Sequence, residues 1–232
     1  IKDESDPDSD LPQIVHAYQT AISLETKNIE NFSIKNLFTK KEWALLDSKK
    51  KQEYDCDILD FYSDIKEWDW LPLIGFIHDL GKVLLLSDYG SLEQWAVVGD
   101  TFPVGQKLSE TYIFENKKYH INNNSLNIDK YSNNIGFSNI LMSWGHDEYL
   151  AHILEKNKTL FPKEAIYLVR FHSFYAWHSP KEKERGYKEL ADKFDWYMLP
   201  LLKYFQKSDL YSKSRDIPDN KKIEDKFKNL ID

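Results

Sequence analysis

The stretch that decides the fold is residues 71–86, LPLIGFIHDLGKVLLL. It is apolar nearly all round, and a helix of that composition is buried on every side. Pro72 suits a first helical turn, where its missing N–H costs nothing, and Gly81 marks a kink or an end. Into this apolar run the chain inserts His78 and Asp79. A carboxylate buried without a partner costs several kcal/mol or takes up a proton, so the pair needs company. A hydrogen-bonded His–Asp pair capping a neighbouring helix would supply it, and so would a metal ion.

Working outward, the same juxtaposition recurs. Residues 11–30 carry Leu11, Ile14, Val15, Tyr18 and Ile22 at helical spacing, with His16 on a neighbouring stripe. Residues 138–157 read as a helix opened by Ser138, with His146 followed by Asp147 and Glu148. Pro162 begins another, running to about Trp177 and carrying His172. A last helix over about 195–211 carries Asp209 and is bent or restarted by Pro200. No repeat and no strand alternation is visible, so the chain is read as all-α, one domain over 1–232.

Bundles build metal sites from inward side chains on facing helices. His16, His78, Asp79, His146, His172 and Asp209 form such a set. No cysteine is among them, which removes thiolate zinc and iron–sulfur sites. Imidazole with carboxylate suits Fe, Mn, Co or Zn. Six ligands exceed what one tetrahedral zinc uses, and they fit two ions, with Asp79 shared because it adjoins a ligand histidine. His120, His152 and His178 are read as structural or surface residues, and Asp147 and Glu148 as partners that orient the histidines.

Composition sets outer bounds. The 232 residues are 41% hydrophobic and 15% aromatic, enough for a real core. A net charge of −7 speaks against nucleic acid as a partner. No apolar run reaches the ~20 residues of a membrane span. The single cysteine, Cys56, forms no internal disulfide, which fits a reducing cytoplasm. The first residue is Ile1, so a longer N-terminus is expected ahead of it. Residues 25–65, rich in lysine and acids, read as a charged surface excursion with one or two helices. Residues 87–110 read as loop, and the Asn-rich 111–137 as a long excursion.

The words around the ligands carry a resemblance. DESDPD at 3–8, HAYQTA at 16–21, HDLGKVL at 78–84, WAVVGDTFPVG at 95–105, LMSWGHDEY at 141–149, RFHSFYAWH at 170–178 and DLYSK at 209–213 closely resemble the myo-inositol oxygenase family. The order His, His-Asp, His, His, Asp also resembles the HD-domain superfamily, although HDxGK alone is shared with many phosphohydrolases. The likeness covers residues 3–24 and about 68–232, more loosely between 106 and 137.

The resemblance implies an HD-domain-like bundle holding a mixed-valent pair of iron ions (Fe2+/Fe3+). Such a centre cleaves myo-inositol with O2 to D-glucuronate. It implies that His16, His78, Asp79 and Asp209 hold one iron and that His146 and His172 hold the other, with Asp79 bridging. Inositol contacts would fall on Asp3, Lys82, Gly99, Asp100, His172, Ser173 and Lys213. Lys82 is the catalytic candidate: one turn beyond His78, its ammonium would lower the pKa of a substrate hydroxyl, whereas the plainer reading is a snorkelling surface lysine. Asp100 would accept from a polyol, or simply form an Asx turn.

Two departures accompany the likeness. His16 and His78 stand further apart here than in the family, so 25–65 is expected to loop out. The family also has a segment ahead of DESDPD that helps close the site, and without it water would enter. The competing chemistry is a metal-dependent phosphohydrolase on the same scaffold. Asp3, Asp6 and Asp100 would repel a phosphate, which favours a neutral polyol. A monomer acting on myo-inositol, with no nucleic-acid or membrane partner, is the expectation.

Overall fold

The computed structural model describes residues 12–106, 130–180 and 186–211. Among them the regular structure is helical, and extended pairing is limited to two isolated bridges, Ser33 with Asp57 and Pro103 with Met142. In chain order the helices are α1 (Gln13–Ser23), α2 (Thr26–Ile29), α3 (Lys40–Leu45), α4 (Ser48–Glu53), α5 (Ile58–Phe61), α6 (Trp70–Ile77), α7 (Gln94–Val97), α8 (His146–Lys156), α9 (Lys163–Phe171), α10 (Tyr175–His178) and α11 (Lys193–Tyr211). No helix among the described residues is long and apolar enough to cross a membrane. Asp3, His120, Lys213 and most of the Asn-rich stretch lie outside the described residues.

Helix α6 sits at the centre, packed on α1 and α9, while α11 runs against α1 and α9 and α8 lies across α9. Gly75 permits the α1–α6 approach, because a Cβ there would meet Leu24 and the Ala21 backbone. The all-α reading stands, but the segment that decided it is not one helix. Residues 71–86 divide at His78, where α6 ends, and continue as 3-10 helix over Leu80–Leu85. Leu80 and Leu86 are exposed, so the apolar run is not buried all round. Similarly, 138–157 is not one helix capped by Ser138. A short 3-10 turn at Phe137–Asn139 precedes α8, whose cap is Gly145 and whose first residue is His146. His172 likewise caps the C-terminus of α9, and α10 follows as a separate turn.

The expectation that 25–65 is a surface excursion is overturned by burial. Ile29, Ile34, Tyr54, Ile58 and Tyr62 are fully buried in the main core. The lysine runs hid this, because they occupy only the outer faces of α3 and α4. Both helices carry proper caps. Thr39 and Glu42 form a reciprocal capping box on α3, and the Asp47 carboxylate accepts from Lys50 N at 2.7 Å to start α4.

This segment also repairs α11. Pro200 lies inside that helix and supplies no N–H, so the Trp196 carbonyl loses its helical donor. Tyr54 Oη donates to Trp196 O at 2.5 Å. Tyr62 Oη donates to Tyr197 O at 2.6 Å and accepts from Leu201 N at 3.0 Å. Burial pushes both phenol pKa values up, so both hydroxyls remain donors. Pro200 therefore does not restart the helix, because two side chains from outside complete it.

Tyr62→Phe strips a buried carbonyl and a buried N–H of their partner at once. It is expected to lower the unfolding free energy by about 1–3 kcal/mol, measured by urea denaturation. Deleting the segment from α3 through α5 is expected to leave no cooperative transition.

Candidate metal centre

Five of the six expected ligands sit at or near an end or break of their helix, and His16 lies within α1. His78 is the last residue of α6's turn, Asp79 sits at the junction with the 3-10 segment, His146 opens α8, His172 closes α9, and Asp209 lies close to the C-terminal end of α11. The structure brings all six together. His16 Nε2 is 2.9 Å from Asp209 Oδ1 and 3.6 Å from Asp79 Oδ2. His78 Nε2 is 3.5 Å from Asp79 Oδ2 and 3.6 Å from Asp209 Oδ1. On the other side, Asp79 Oδ1 is 3.2 Å from His146 Nε2 and 3.6 Å from His172 Nε2. The two oxygens of one carboxylate thus face two separate donor groups: His16, His78 and Asp79, and Asp79, His146 and His172.

The outer nitrogens fix how these rings are aimed. His78 Nδ1 faces Gly75 O at 2.7 Å, His146 Nδ1 faces Val97 O at 2.9 Å, and His172 Nδ1 faces Val169 O at 2.8 Å. A carbonyl only accepts, so each Nδ1 carries the proton and each neutral ring turns an Nε2 lone pair to the centre. His146 Nε2 and His172 Nε2 then stand 3.2 Å apart, lone pair against lone pair. Only a positive charge between or beside them relieves that opposition. Four imidazoles, two carboxylates and the Lys82 ammonium leave the cluster one unit negative, which cations would offset. The donor set therefore fits metal ions.

The electrostatics agree. With protons standing at those Nε2 atoms in place of cations, burial would push Asp79 up, yet the charges of His78 and Lys82 and the hydrogen bonds from His146 and His172 hold it well below the usual carboxylate range. Asp209 is likewise held low, against burial, by His16 and His78. Both remain anionic and able to bind a cation.

Three orienting features were not legible as such. His78, His146 and His172 are aimed by backbone carbonyls and not by Asp147 or Glu148, which corrects the expectation for those two acids. Asp147 instead accepts from the Thr101 hydroxyl. Glu148 takes a two-point bond from Arg170, at 2.6 and 2.8 Å, tying α8 to α9 between the ends that carry His146 and His172. The third is Gly81. A Cβ there would overlap the His146 carbonyl oxygen, so only glycine lets the 3-10 segment lie against α8 and bring Asp79 beside His146.

The expected substrate side chains gather near the same place. Lys82 is buried, and its Nζ donates to Asp79 Oδ2 at 2.8 Å and to Gln13 Oε1 at 3.4 Å. The 3-10 geometry turns it to Asp79 three residues back, not to His78 four residues back, and it is no snorkelling surface lysine. Thr101 N donates to Ser173 O at 2.9 Å, which sets Asp100 close to Ser173, itself next to His172. Gly99 adopts φ +117°, and the space where its Cβ would stand is open. His178 is buried; its Nε2 donates to His172 O at 2.9 Å and its Nδ1 accepts from Ser179 Oγ at 3.0 Å.

Comparison with known proteins then bears on what this centre is. The family model described as myo-inositol oxygenase matches residues 57–232. The chain belongs to the myo-inositol oxygenase family. An inositol oxygenase of Dictyostelium discoideum is 39% identical over 236 residues, covering 100% of this chain and 68% of that protein. Those of Danio rerio and Homo sapiens are each 36% identical over 238 residues, covering 100% of this chain and 70% and 68% of theirs. Members of this family are oxidoreductases, and membership sets the phosphohydrolase alternative aside.

Gly81→Ala is expected to separate Asp79 from His146 while leaving α1, α6 and α11 packed. Elemental analysis after metal loading should find clearly less bound metal than in the parent, with an unchanged helical circular dichroism spectrum. Full metal occupancy in that variant would show that the close approach is not what builds the centre.

Proposed function

We propose that the chain is a diiron inositol oxygenase of the HD-domain kind, opening the ring of myo-inositol with one O2 to give D-glucuronate and water. The observation that carries the reading is the Asp79 carboxylate with one oxygen facing His16 and His78 and the other facing His146 and His172. In this reading His16, His78, Asp79 and Asp209 hold one iron, and Asp79, His146 and His172 hold the other. When bound, the iron pair supplies the one-electron and O2 chemistry that no amino-acid side chain provides.

The chain's own residues bind and prepare the polyol. Lys82 holds a positive charge against Asp79, and a hydroxyl brought beside that ammonium loses its proton more readily. Asp100 accepts hydrogen bonds from substrate hydroxyls and Ser173 donates one, the two kept in register by the Thr101–Ser173 backbone bond. The open side of Gly99 lets backbone and sugar approach. Asp3 and Lys213 complete the substrate contacts in this reading, with His172 at the boundary between metal and substrate. Acidic Asp79 and Asp100 favour a neutral polyol over a phosphate ester. The single cysteine fits work in the reducing cytoplasm, as a monomer.

Protein loaded with Fe(II) and partly oxidised by air is expected to consume O2 only when myo-inositol is present and to yield D-glucuronate. Lys82→Met should lower kcat about a hundredfold, with metal content unchanged. His146→Ala should retain at most one iron per chain. Phosphate release from a nucleotide with no glucuronate would overturn the assignment.

A further inference from the structure

Thr101 is a buried threonine whose hydroxyl the proposed chemistry leaves unused. Its backbone N–H donates to Ser173 O at 2.9 Å, just beyond the end of α9. Its hydroxyl donates to the buried carboxylate of Asp147, in the first turn of α8. The other Asp147 oxygen accepts from Glu148 N at 2.9 Å, so that carboxylate is held from two sides. Ser173 adjoins His172, and Asp147 adjoins His146. Thr101 thus joins the ends of two helices that carry metal-facing histidines.

Asp100 depends on that junction. On one side it follows Gly99, which is exposed, adopts φ +117° and has open space where a Cβ would stand. Glycine restrains the backbone weakly, so the chain before Asp100 does little to fix it. On the other side the chain is paired from Thr101 onward. Phe102 N donates to Ser143 Oγ at 3.1 Å, Ser143 N to Phe102 O at 2.8 Å, and Val104 N to Leu141 O at 2.8 Å. Asp100 therefore stands between a loose glycine and an anchored run that begins at Thr101. A backbone held by one hydrogen bond can pivot about it. A second bond, charge-assisted and aimed at a different helix, removes that freedom.

We propose, resting on the inositol reading, that Thr101 is a positioning residue that sets affinity for the polyol. Its hydroxyl, bonded to Asp147, fixes the orientation in which Asp100 accepts from substrate hydroxyls. The metal centre does not share this dependence, because His146 is aimed by Val97 O, which closes α7 before the chain reaches Gly99.

The test uses the whole iron-loaded chain and Thr101→Val, which keeps the side chain's shape and deletes its donor. The KM for myo-inositol should rise about tenfold or more, the loss expected when a hydrogen bond to a charged group is no longer aligned. Iron content and kcat should stay close to the parent's. Without substrate, hydrogen–deuterium exchange of the amides of residues 101–104 should quicken about tenfold, while α6 keeps its protection. Thr101→Ser, which restores the hydroxyl, should return both KM and exchange to parent values. Should Thr101→Val fail to fold, Asp147→Asn fills the same space with a neutral acceptor and should raise KM in the same direction by less. An unchanged KM in folded Thr101→Val, or a raised KM that Thr101→Ser does not rescue, would overturn the proposal. So would loss of iron with KM unchanged. A parent that turns over no myo-inositol would overturn the activity reading instead, and the exchange measurement would still decide whether the hydroxyl anchors the loop.

Discussion

Everything at the centre of this molecule depends on one carboxylate reaching two ways. Asp79 can do so because of where it sits. At the break between α6 and the 3-10 segment its backbone no longer follows either axis, and its two oxygens face opposite donor groups. A continuous helix through 71–86 would have presented His78 and Asp79 about a hundred degrees apart. The break, and the absence of a Cβ at Gly81, let a carboxylate from the middle of the bundle meet His146 at the start of α8.

The remaining architecture holds that junction still. The histidine rings are anchored through backbone carbonyls of Gly75, Val97 and Val169, so their aim follows from the helix ends themselves. The Glu148–Arg170 pair ties α8 to α9. Asp209 comes from α11, a helix with an internal proline made good by Tyr54 and Tyr62. The charged 25–65 segment thereby supports the helix that carries Asp209, the aspartate facing His16 and His78.

Much of this was legible in the sequence, for a physical reason. Buried histidines and acids among apolar neighbours are costly, so six of them on five helical segments point to a shared partner, and the structure places all six together. What the sequence hid was local. Helix ends at His78, His146 and His172 carry no strong stop signal, since the apolar pattern runs on past each. The burial of Tyr54 and Tyr62 was masked by lysines on the faces opposite. Lys82 was placed against His78 by helical spacing, but 3-10 winding puts it against Asp79. The carbonyl anchors leave no trace in side-chain identity at all.

The central claim is that Asp79 joins two metal ions into one unit. Electron paramagnetic resonance of the iron-loaded, half-oxidised protein with myo-inositol added tests it most directly. The account predicts the signal of two spin-coupled irons of mixed valence, accompanied by two irons per chain, and loss of that coupling in Asp79→Ala. A spectrum of isolated ferric ions in the parent protein, or saturation at one iron per chain, would contradict it.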